Sequence, residues 1–94
     1  MRNRIYTSDP SGKYTLTWYI GQGDMDLYLE VTDNSTGEVK TIKASEIEKL
    51  DPPLRATALS LLKMMARVSM ALIPWLHVHG YDWLLDQVEP VGAW

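Results

Sequence analysis

The sequence predicts an α+β fold: a four-stranded antiparallel β-meander, then a long apolar helix and a shorter C-terminal helix packed on one sheet face. Three observations point to it. Residues 3–43 contain four runs in which apolar and polar side chains alternate. Turn-forming clusters separate those runs. From residue 45 onward the apolar side chains recur at helical spacing instead.

The elements follow in order. Asp9-Pro10-Ser11-Gly12 is a turn, because Pro suits its second position and Gly its last. Residues 13–20 are rich in β-formers and alternate Tyr14, Leu16, Trp18 and Ile20 against Thr15, Thr17 and Tyr19. Gly21-Gln22-Gly23-Asp24 turns the chain. Residues 25–32 then set Met25, Leu27, Leu29 and Val31 against Asp26, Tyr28, Glu30 and Thr32. A third turn at residues 33–37 leads to a fourth strand over 38–43. The pattern pairs Trp18 with Leu27, Leu16 with Leu29, Ile5 with Leu16, Thr7 with Tyr14, Val31 with Val39 and Glu30 with Lys40.

Ser45-Glu46-Ile47-Glu48 has the form of a capping box, with Ser45 as the cap and Glu48 reaching back. Asp51 caps again, and Pro52 occupies the first position of a helix. That helix is expected over 52–73, stopping or kinking at Pro74, which has no backbone donor. After Gly80, the residues Tyr81, Leu84, Leu85 and Val88 repeat at helical spacing. One domain results: a meander over 1–43, a helical part over 45–88 and a tail over 89–94.

Composition bounds the function. A domain of 94 residues stabilises itself only marginally, which favours burial against a partner. Hydrophobic residues at 46% and charged residues at 22% are globular usage and argue against disorder. Absence of cysteine excludes disulfides, thiolate nucleophiles and Cys-ligated metals. A net charge of -3 disfavours non-specific attraction to nucleic acid or anionic lipid. The most apolar stretch, 64–78, is interrupted by Arg67 and Pro74 and falls short of the roughly 18–20 residues that span a bilayer. Residues 1–6 lack the apolar run of a signal peptide. A cytoplasmic protein without a membrane span is expected.

Two surfaces are candidates for binding. Around the long helix, Leu54, Ala58, Leu61, Leu62, Met64, Met65, Val68 and Leu72 share a broad side, with Leu59, Ala66, Met70 and Ile73 beside it. Only Ser60, Lys63 and Arg67 form a polar stripe. This apolar arc exceeds what one sheet face covers, so Leu61, Met64, Met65, Val68 and Leu72 are assigned to an oligomer or partner interface. The outer sheet face carries Tyr6, Tyr19, Tyr28 and Ile42 with Arg4 and Lys40. Tyr in mixed charge suits protein recognition. Base stacking on the same tyrosines is a less favoured alternative, because Asp26 and Glu30 offset the two cations.

Chemistry is sparse. His77 and His79 are the only histidines, and a continuous helix would align His79 with Asp82 and Asp86, the basis of a metal-dependent enzyme alternative. Asp82, Asp86 and Glu89 form an acidic face that would otherwise meet water or a basic partner. No catalytic residue, metal site or cofactor is assigned. The sequence reads as a small non-enzymatic protein-binding module, a homodimer or docking subunit. Its small size and acidic balance suit an inhibitor of a host nucleic-acid enzyme carried by a phage or mobile element.

Overall fold

A computed structural model describes residues 6–69 and 71–88. The strands β1 (Tyr6–Ser8), β2 (Tyr14–Ile20), β3 (Leu27–Asp33) and β4 (Val39–Lys43) form one antiparallel sheet in sequence order. A short 3-10 helix (Ala44–Lys49) leads into α1 (Pro52–Val68), α2 (Leu72–Val78) and α3 (Asp82–Val88). The architecture is thus the expected α+β meander and helices.

The sheet faces follow from side-chain alternation. Leu16 and Trp18 of β2 and Leu27 and Leu29 of β3 are at most 1% exposed and share the face that meets the helices. Ala58, Leu61, Leu62 and Ala66 of α1, Leu72 and Leu76 of α2, and Tyr81 and Leu84 close the core. Each fully buried leucine contributes roughly 2 kcal/mol of transfer free energy.

Strand register differs from expectation in all three hairpins, in two of them by an even shift. In β2–β3 the pairs are Trp18 with Leu29 and Leu16 with Val31. In β1–β2 Thr7 opposes Leu16. Both are shifts of two residues, which preserve the faces because the side-chain period is two. Their cause lies in the loops. Gly21 N–H donates to Asp26 O at 2.8 Å, so Met25 lies in the turn and not in the strand. Asp9 N–H donates to Tyr14 O at 3.0 Å, and the Asp9 carboxylate accepts from Tyr14 N–H at 2.8 Å, which moves the closing pair of the first turn one residue onward on both strands. The expected pair of Ile5 with Leu16 lies outside the described residues.

The β3–β4 hairpin is off by one residue, and that reverses faces. Asp33 N–H donates to Glu38 O and Gly37 N–H to Asp33 O, which sets Thr32 against Val39 and Leu29 against Ile42. Ile42 therefore packs on the core, not on the outer face, and Val39 is 52% exposed. Lys40 opposes Val31 and lies on the core side of the sheet, near Tyr14, Asp33 and Glu38, and not on the face of Tyr19 and Tyr28.

The helical half also departs from the pattern. Ser45 is not the cap: the 3-10 helix begins at Ala44, and Lys43 N–H meets Glu46 Oε1 at 3.4 Å. The 3-10 helix buries Ala44 and Ile47 under the sheet. The long helix ends at Val68, not at Ile73. Ser69 is extended (φ -112°, ψ 106°), and its N–H still closes the last turn on Met65 O at 2.8 Å. The bend of 115° between α1 and α2 returns Leu72 and Leu76 to the core. Pro74 sits in the first turn of α2, where an intrahelical donor is not required. Gly80, at φ +82°, forms a Schellman cap: its N–H reaches His77 O at 3.3 Å, while Tyr81 N–H reaches Leu76 O at 2.8 Å. Among the described residues no single helix is long and apolar enough to cross a membrane.

Candidate functional site

The bend between α1 and α2 creates an apolar groove. Met65 and Val68 from the last turn of α1, Leu72 and Trp75 from α2, and Ile20 at the end of β2 line it, together with Ser69 and Ala71. Its volume is about 290 Å³. Val68 is 73% exposed and Ile20 37%, so two large apolar side chains meet solvent beside an apolar hollow. Small-molecule pockets usually start near ~300 Å³ and place convergent polar groups inside. This groove lies at the low end of that range and offers little beyond the Ser69 hydroxyl. It suits insertion of apolar side chains. A larger cleft of about 440 Å³ runs between the β1–β2 turn and α1; its lining is also mainly apolar, with Pro10, Pro53, Ala56, Leu61 and Met64 beside the hydroxyls of Thr7, Ser8, Thr57 and Ser60.

The five helix residues assigned from the sequence separate in space. Leu61 (1% exposed) and Leu72 (8%) belong to the core. Met65 lines the groove, Val68 stands at its edge, and Met64 borders the larger cleft. Met70 lies outside the described residues. Ile20 and Trp75 were missed. Their part becomes legible only from the bend after Val68, which brings Trp75 of α2 beside Ile20 of β2.

The outer sheet face is built around one cross-strand pair. Tyr19 opposes Tyr28, and their rings stack with centroids 5.5 Å apart. Tyr6 is exposed, and Thr17, its partner across the strands, is buried. The Tyr28 hydroxyl donates to Asp24 Oδ2. This bond pushes the Tyr28 phenol up to about 12 and holds the Asp24 carboxyl below the usual range. A Cβ at Gly21 would stand 2.7 Å from both Tyr28 Cε2 and Asp24 Oδ1, so a larger residue there displaces one of these two side chains. The cation beside this pair is Lys43, which opposes Tyr28 and lies 3.9 Å from Asp26 Oδ2. The one-residue slip of β4 sets Thr41, not Lys40, opposite Glu30, and it turns Lys43 onto the tyrosine face. Arg4 lies outside the described residues.

Asp26 joins the two halves of the protein. Beside Lys43, it accepts a hydrogen bond from the Tyr81 hydroxyl, 55 residues away in sequence. Burial, with this bond second, pushes the Tyr81 phenol up to about 12.

The histidines part company. His77 Nδ1 meets Asp82 Oδ1 across the Gly80 turn. His79 instead stacks on Trp75 with centroids 4.2 Å apart. Asp82 thus engages His77 rather than His79, because the Schellman turn ends the continuous helix that the stripe required. Asp86 is exposed on α3, and Glu89 lies outside the described residues. The side chains of Leu85 and Val88 lie outside them as well. Among the described residues no group of three His, Asp or Glu side chains is placed to hold a metal ion.

The chain matches no protein-family model, no curated protein and no solved structure.

Proposed function

We propose that this chain is a protein-binding module without enzymatic activity, and that it docks through the groove at the α1–α2 bend. The observation that carries the reading is Val68, 73% exposed at the rim of a hollow lined by Met65, Leu72, Trp75 and Ile20. Apolar side chains held in water around a concave apolar surface gain free energy when another protein covers them. The occupant is a set of apolar side chains from another polypeptide, with a homodimer as the case in which that polypeptide is a second copy. The scarcity of polar groups in the groove favours this occupant over a cofactor.

A cytoplasmic inhibitor of a host nucleic-acid enzyme, carried by a phage or mobile element, is the narrower form of the same proposal. The net charge of -3 and the exposed Asp82 and Asp86 support it, as they suit a basic target. The nucleic-acid alternative has less support, since the lysine beside the tyrosine pair already faces Asp26.

The test combines light scattering with pull-down from host extract, using the native sequence and Val68→Glu side by side. A dimer or a specifically retained protein that is lost in Val68→Glu supports the proposal. A monomer at high concentration that retains nothing, or retention that Val68→Glu leaves intact, removes the groove as the docking site. Salt-sensitive retention of single-stranded DNA or RNA by both proteins would favour the tyrosine face instead.

A further inference from the structure

We draw no further inference here: the strongest candidate, the apolar groove at the α1–α2 bend, already belongs to the site described above, and nothing in the structure shows which chain covers it.

Discussion

Trp18 Nε1 donates a buried hydrogen bond to the backbone oxygen of Ala58 at 2.8 Å, tying the middle of β2 to the middle of α1. The indole is 1% exposed, and Ala58, with no side chain beyond Cβ, allows the strand and helix to approach. This contact sets where α1 lies on the sheet, and so where its last turn meets Ile20. Trp18→Phe should lower stability by about 2 kcal/mol, from the lost bond and the smaller ring. The check is a urea titration in which the midpoint falls and the slope stays constant.

Tyr81→Phe tests the second tie between helices and sheet. The loss should be about 1 kcal/mol at neutral pH, because Asp26 keeps Lys43 nearby. The pH dependence carries a sign. The Tyr81 phenol is raised from its ordinary value of 10 to about 12 in the folded protein. Its contribution is therefore fully present below pH 10 and is lost as pH rises through about 12. Native protein should lose stability across that window, and Tyr81→Phe should lose less of it. Thermal melts at stepped pH measure the difference.

At the acid end, Asp9, Asp24 and Asp33 are each held below their ordinary 3.8, chiefly by the hydroxyls of Ser11, Tyr28 and Ser35 respectively. Their contributions are present above that value and vanish as pH falls through the depressed values. Because each carboxylate closes a hairpin turn, Asp9→Asn should leave a protein whose stability falls less steeply below pH 4 (roughly the unfolded carboxyl range). Chemical denaturation at several acid pH values decides it.

The register of β4 is open to a direct test. Asp33 and Glu38 are bonded, so alternation along the ladder makes Lys40 and Ile42 the bonded residues of β4 and turns the backbone groups of Val39 and Thr41 outward. Thr41→Pro removes an outward donor and should be tolerated, as proline is on edge strands. Ile42→Pro removes a ladder bond and a core contact and should cost at least about 1 kcal/mol. Equal effects of the two substitutions would contradict the register.

Val68→Glu and Leu61→Ala separate binding from folding. Val68 is exposed, so its substitution should change stability by no more than about 0.5 kcal/mol while abolishing partner capture. Leu61 is 1% exposed, so Leu61→Ala should cost about 2–5 kcal/mol. Melting curves and light scattering on both variants provide the readouts.

What the sequence disclosed depended on symmetry. The faces of β2 and β3 were legible from Leu16, Trp18, Leu27 and Leu29, because a register error of two residues leaves every face intact. An error of one at β4 exchanged Ile42 and Val39, and local pattern could not detect it, since the turn over 33–37 supports more than one closure. The bend at Ser69 was hidden for another reason. Neither Gly nor Pro falls at 69–71. Pro74 has no N–H for the carbonyl four residues back, so the helix has to end ahead of it, and the new helix that starts at Leu72 buries Leu72 and Leu76. Of the groove, Met65, Val68 and Leu72 were found from the helical wheel, while Ile20 and Trp75 awaited the bend.

The strict strand order carries a consequence for how the chain acquires its fold. Each strand pairs with the next, so the meander needs only short loop closures and its hairpins can form early. Yet the ribbon alone would leave Leu16, Trp18, Leu27 and Leu29 bare until α1 has been synthesised. A nascent chain that has emerged only to residue 50 is therefore a collection of fluctuating hairpins, and cooperative folding waits for Ala58, Leu61 and Leu62 to arrive.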